Sequence, residues 1–278
     1  MSTILAEAPK QLGRLLEQVW LVAVLAAAWW FLSANSTSVY FPPLSKIMQS
    51  LVSGFTTGTM MRDVVFSLSN ILIGIAVATV LGVAVGILIG ELERLRQVLD
   101  PFLQFVRSVP QSALIPIVIG ALGIGQAPKI YMIAFACFWP VLLNTIDGVR
   151  SIAPEVRDMA KSYRIPTTLR IRRIVLPAAL PQIVAGVRVS LAVGVVIMVV
   201  SEIFSAVAGI GHYINMAGSS FDISGAWAGT LLVGALGYLL SVSFILFEKG
   251  TLRWYFDSAA LASHGRIKTT RSRRKAKK

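Results

Sequence analysis

Residues 65–90 read VFSLSNILIGIAVATVLGVAVGILIG, without one charged side chain. About 20 consecutive apolar residues suffice for a helix to cross the hydrocarbon core of a bilayer. Lipid offers no partner to unpaired backbone groups, so a span of this kind closes its hydrogen bonds within itself, as a helix. Gly82, Gly86 and Gly90 recur every fourth residue and share one face. Small residues at that spacing let another backbone come close. The pattern predicts a tight contact inside a bundle or across two copies, without naming the partner helix.

Working outward, five more segments have this character: 17–34, 102–122, 128–147, 183–207 and 227–248. The expected fold is all-α, a polytopic membrane helix bundle of six transmembrane helices with a short cytoplasmic helical loop. No repeat or second domain is visible, so residues 1–263 read as a single transmembrane domain. The first segment follows Lys10 and Arg14, and bulky Trp29, Trp30 and Phe31 stand where a cleaved signal would need small residues. It reads as a retained helix.

Composition agrees. The chain is 55% hydrophobic and 14% charged, against about 25% charged in soluble domains. A soluble core of this size would need more polar surface than the chain supplies. The single cysteine, Cys137, lies in an apolar run and reads as a small hydrophobe. The net charge of +13 could suggest nucleic acid, but topology accounts for it. With both termini in the cytoplasm, every Lys and Arg except Lys46, Arg62 and Lys129 falls on the inner side, as the positive-inside rule requires. The chain therefore reads as a multi-pass membrane protein, with the lipid bilayer as a partner and no nucleic acid. Residues 264–278, HGRIKTTRSRRKAKK, read as a disordered basic tail. It reinforces orientation or meets anionic headgroups.

The segment 102–122 is interrupted. Asp100 is placed to cap it and Pro101 suits a first turn, while Pro110 and Pro116 should kink it or free carbonyls. Freed carbonyls at membrane depth are tolerated where they are buried or face a cavity. Ser108, Gln111 and Ser112 flank the first interruption, and with Arg107 they are candidates for a path through the bundle. Glu202 is a further candidate, as an ionisable residue in a span. It lies about 28 Å along its helix, far from Arg107. The plainer readings are a hydrogen-bonded structural carboxylate for Glu202 and snorkelling for Arg107. Asn144 and Asp147 should end their span at the inner face, and Ala208–Trp227 reads as a loop over the outer mouth.

The longest polar stretch inside the chain is 148–182, GVRSIAPEVRDMAKSYRIPTTLRIRRIVLPAALPQ. Pro154 suits a helix start, Glu155 and Asp158 come early, and Lys161 and Arg164 come late, an order that complements the helix dipole. Val156, Met159, Ala160 and Tyr163 form one apolar stripe. Pro166 breaks the helix, Thr167 or Thr168 can cap a second, and Pro177 should end it. Such an element suits either a docking soluble partner or the lipid surface.

The same stretch resembles the EAA loop of binding-protein-dependent ABC permeases, E-A-A, three residues, Gly, nine residues, Ile-x-Leu-Pro. Asp158, Met159 and Ala160 take the first places, Arg164 the glycine's, and Ile174, Leu176 and Pro177 the last. The likeness runs from Phe41 to Tyr255 and includes DPFLQFVRSVPQSALIPIVIGALGIG (100–125), LPAALPQIVAGVRVSL (176–191) and Glu202. It is nearest the nitrate, taurine and aliphatic-sulfonate group. The resemblance implies a translocation subunit of the bacterial cytoplasmic (inner) membrane working by alternating access, with a second permease copy as homodimer partner, two ABC ATPase subunits and an external substrate-binding protein. ATP and Mg would be bound by the ATPases. The coupling residues would be Glu155, Asp158, Met159, Ala160, Arg164, Ile174, Leu176 and Pro177, and the solute a small anion. Arg164 departs from the pattern: the glycine's place suits a positive φ, so either Arg164 takes another geometry or Pro166 makes the turn.

Other chemistry finds little support in the sequence. No G-x-x-x-x-G-K-[ST] occurs, so this chain cradles no nucleotide phosphate of its own. Gly209-x-Gly211 lacks the third glycine of a dinucleotide site. His212 and His264 are too far apart to suggest a metal site, and no catalytic cluster recurs in the spans. The alternative transporter, an ion-coupled secondary one, would need midplane carboxylates and usually an inverted repeat. Neither is visible, so the chain reads as non-catalytic by itself and a subunit of an ATP-hydrolysing translocase.

Overall fold

The computed structural model describes residues 8–204 and 207–254; among residues 8–22 only the side chains of Trp20 and Leu21 are described. The described elements are helices, in the order α1 (Ala8–Ser33), α2 (Leu44–Thr56), α3 (Thr59–Glu91), α4 (Glu93–Ser108), a 3₁₀ turn (Gln111–Leu114), α5 (Ile115–Leu122), α6 (Gln126–Arg150), α7 (Pro154–Ser162), α8 (Thr167–Arg170), a π turn (Ile171–Val175), α9 (Leu176–Phe204), α10 (Ile210–Ser219) and α11 (Ile223–Thr251). Four helices are long and apolar enough to cross a membrane: α3, α6, the continuous Thr167–Phe204 and α11. The bent pair from Glu93 to Leu122 makes a fifth if it is one span. The expected first span falls within α1, of which Ala23–Ser33 is the described apolar part.

The centre of the bundle is α6, the most enclosed span, held between α3 and α9. Its contact with α3 follows the glycine row. A Cβ built on Gly82 would lie 2.9 Å from Val141, on Gly86 2.6 Å from Thr145 and on Gly90 2.8 Å from Val149. The partner helix left open by the sequence is therefore α6 of the same chain. On its other side α6 receives Gly186 of α9, where a Cβ would stand 2.8 Å from the Asn144 Cβ. Ile71, Ile75, Ile133, Cys137 and Met198 fill the space between. The Cys137 thiol donates to the Ser190 carbonyl, and the Ser190 hydroxyl donates back to the Cys137 carbonyl.

Several boundaries differ from expectation. Asp100 caps nothing: α4 begins at Glu93, and Pro101 lies inside it. The ring is tolerated because Pro101 and Gln97, whose carbonyl loses its donor, are both on the exposed face. Pro110 makes the break, and the two halves diverge by 79°. Pro116 then starts α5 instead of kinking it. Asn144 and Asp147 do not end their span, because α6 continues to Arg150. The stretch Ala208–Trp227 is no loop: it holds α10 and the start of α11. The helix α2 was not expected. It is seated by Ile47 against Met60 and Ala228, beside a stack of Trp29 on Phe41 and an edge contact of Trp29 with Trp227.

Candidate functional site

The two halves of the 148–182 stretch form, but its apolar stripe divides. In α7, Ala160 is buried and Val156 packs against Val149, Val175 and Ala179. Met159 and Tyr163 turn outward, 48% and 78% exposed. Asp158, Glu155 and Lys161 are exposed beside them. One face of α7 thus anchors to its own bundle, and the other presents a methionine, an aromatic ring and charges away from it. Glu155 lies in the first turn and Lys161 in the last, which suits the dipole.

Arg164 itself takes the left-handed conformation, with φ 49°. The Ile165 N–H donates to the Ala160 carbonyl at 3.0 Å, the six-to-one bond of a Schellman cap. Arg164 therefore holds the glycine's geometry as well as its place, at a strain of about 1–2 kcal/mol for a side-chain-bearing residue. Neither threonine caps the next helix; Pro166 precedes it and Thr167 is its first residue. Pro177 does not end it. A π turn over Ile171–Val175 carries the helix into α9, with the Leu176 N–H donating to the Ile171 carbonyl. The wider turn absorbs a ring that would otherwise meet the carbonyl of Arg173. Ile174 and Leu176 are half-buried and Pro177 is exposed. The arm is tied to the bundle by Arg170, paired with Glu91 at 2.5 Å, and by Arg157, which donates to the Val149 carbonyl at 2.6 Å.

Of the pathway candidates, Arg107 and Gln111 line one cavity of about 330 Å³, with Asn144 and Asp147 of α6 and Val189 and Val193 of α9. The Pro110 break is what turns Gln111 into it. Ser108 donates to the Gln104 carbonyl; neither it nor Ser112 is part of this lining.

Glu202 lies elsewhere, fully buried at the opposite end of the bundle from α7. Ser67 Oγ donates to its Oε1 at 2.8 Å, and the Gly211 N–H to its Oε2 at 2.9 Å. The Ile210 N–H donates to Ser67 Oγ, and the Gly209 N–H to Asp63 at 2.8 Å. Lys129, only 1% exposed, reaches the Ala208 carbonyl at 3.4 Å and stands 4.8 Å over the Phe66 ring. Three helices, α3, α6 and α9, thus hold the turn before α10. Gly209 is required there by φ 120° and because a Cβ would collide with the Glu202 carboxylate. Sequence reasoning missed Lys129, Asp63 and Ser67. The available signal was a lone lysine at the start of an apolar helix with no other charge before Asp147. It also missed the ion pair of Arg188 with Glu248, which joins α9 to α11.

The chain is a bundle of membrane helices carrying a structured loop, anchored on one face and open on the other. The family described as binding-protein-dependent transport system inner membrane component matches residues 78–253, and the chain belongs to it. It is therefore a multi-pass membrane subunit of a binding-protein-dependent ABC importer. It is 28% identical to the taurine transport system permease protein of Escherichia coli over 241 residues, 84% of this chain and 88% of that one. It is 30% identical to a putative aliphatic sulfonates transport permease protein of Bacillus subtilis over 237 residues, 84% and 86% of the two chains. The nitrate import permease protein of Synechocystis sp. is 29% identical, over 81% of this chain and 85% of that one. A methionine ABC transporter in an inward-facing conformation shares the fold, with TM-score 0.60 at 16% identity over 70% of this chain and 97% of that chain.

Proposed function

We propose that the chain moves a small anion inward by alternating access, as one of two identical copies driven by two partner ATPases and fed by an external binding protein. The observation that carries this reading is the divided stripe of α7: Val156 and Ala160 root it in the bundle, while Met159 and Tyr163 face away. An exposed apolar pair among charges on a rigid helix suits a cleft on a soluble subunit. Glu155, Asp158, Met159, Ala160, Arg164, Ile174, Leu176 and Pro177 form the coupling element. A push on α7 reaches α3 through Arg170–Glu91 and α6 through Arg157. ATP and its Mg belong to the partner ATPases, and this chain's contribution is mechanical. With both termini cytoplasmic, α7 faces the ATPases and the Glu202 turn faces the binding protein.

The relatives named for taurine, sulfonates and nitrate support an anionic solute. Arg107 and Gln111 in the 330 Å³ cavity supply a cation and an amide for it. The test is deletion of residues 158–166 in the assembled complex reconstituted in vesicles. ATP-dependent uptake and co-purification of the ATPase should both be lost while the variant still inserts in the membrane. Retention of both would remove the coupling role.

A further inference from the structure

A second, larger cavity lies beneath the coupling element. Its volume is about 490 Å³, within the range of small-molecule sites. It lies where the α3 span ends, between Gly90 and Glu91, the start of α4 and the inner side of α7. Its lining cations are Arg96, Arg150, Arg157, Lys161 and Arg170, beside the carboxylates of Glu91 and Glu93. Ile152, Val156 and Val175 are among its apolar lining residues.

The cations are not fully answered by the chain. The Arg96 side chain is only 16% exposed, and its carboxylate partner is the exposed Glu93 at 3.6 Å. Arg157 makes no ion pair among the described residues and donates to a carbonyl alone. Arg170 is paired with Glu91 through Nη2. The Nε atoms of both Arg96 and Arg170 are buried without a hydrogen-bond partner. Buried guanidinium donors left unpaired are costly, and their planar forks match phosphate oxygens. Arg150 and Lys161 pair only at 3.8 and 3.7 Å, with exposed Asp147 and Asp158.

We propose that this cavity binds a phosphate group, held by Arg96, Arg157 and Arg170 with Arg150 and Lys161 at the rim. The apolar lining residues and the position at the end of a span suit the phosphate of an anionic lipid headgroup; a free phosphate would use the same guanidinium groups. The site bridges α3, α4 and α7, so its occupant would stiffen the seat of α7.

The test uses the full chain purified in mild detergent, with two probes: inorganic phosphate, and phosphatidylglycerol against phosphatidylcholine as the zwitterionic control. Binding is read by native mass spectrometry and by the shift in thermal midpoint. Saturable binding of phosphatidylglycerol but not inorganic phosphate identifies a headgroup site; saturable binding of inorganic phosphate identifies a free-anion site. In either case R96Q with R157Q should weaken binding at least about tenfold, the loss expected from two charge-assisted contacts. Where that variant does not fold, K161Q at the exposed rim decides, with about twofold weaker binding expected. No saturable binding of either probe, or variants that bind like the parent, overturns the proposal.

Discussion

The two ends of the bundle handle their polar and apolar groups in opposite ways. At the Glu202 end, the buried carboxylate, the Ser67 hydroxyl and the N–H groups of Gly209, Ile210 and Gly211 find partners inside the chain. At the α7 end, Met159 and Tyr163 are left facing out. Each end also closes a helix with a side-chain-bearing residue in the left-handed region, Arg164 at φ 49° and Phe221 at φ 56°. After Phe221 the Asp222 N–H donates to the Ala217 carbonyl, the same cap as at Arg164. The difference teaches where the chain is complete by itself. These groups are shielded from water, and their partners come from within the chain. The exposed apolar pair on α7 has no such internal answer, as expected of a surface kept for a partner.

The sharpest break of this comparison is Glu202→Ala. It strands the Ser67 hydroxyl and the Gly211 N–H and leaves Lys129 without its nearby carboxylate. A loss of about 3–5 kcal/mol is expected, read as a lowered unfolding midpoint in detergent. Next is Gly86→Ala, whose Cβ would press on Thr145 and part α3 from α6. Overpacking of this kind costs about 1–3 kcal/mol. Gly120→Ala, with nothing within 4 Å of the added Cβ, is the control and should stay within about 0.5 kcal/mol of the parent. If both glycine variants melt alike, the close contact is not what binds α3 to α6.

Met159→Ser with Tyr163→Ser should leave the midpoint within about 0.5 kcal/mol, since both side chains are exposed. ATP-dependent uptake in vesicles should fall about tenfold, equivalent to about 1.4 kcal/mol of lost docking. A fall in stability with uptake intact would reverse the contrast between the two ends. The smallest effect is Arg164→Gly, which removes the left-handed strain and should raise stability by about 1 kcal/mol, seen as a higher midpoint of the purified chain.

Much of this was legible from the residue order. The apolar runs gave the membrane helices, and the glycine row gave a tight contact. The spacing of Asp158, Ala160, Ile174 and Pro177 gave the loop. Proline was the weakest guide. Pro101 and Pro177 were read as helix boundaries, yet both lie in continuing helix, one on an exposed face and one after a π turn. A proline removes one donor and crowds one carbonyl, and whether the helix stops depends on what surrounds that carbonyl. Lys129 was counted only as a cation on the outer side, and its burial, with Phe66 and the Ala208 carbonyl receiving it, was not foreseen. These partners are distant in sequence, so no local pattern pointed to them. The basic tail, residues 264–278, and Tyr255 lie outside the described residues.

The sequence by itself determined that this chain spans a membrane as helices and carries an amphipathic loop between two spans. Both properties follow from the local order of apolar and polar side chains, which lipid and water sort without reference to distant residues. Only the tertiary structure decided which half of the α7 stripe is buried, that α6 is the helix behind the glycine row, and that Glu202 closes a turn. That Glu202 and Arg107 stand apart was already legible from their positions along the spans; the other outcomes depend on which helices become neighbours, and neighbours are set by packing across the whole bundle.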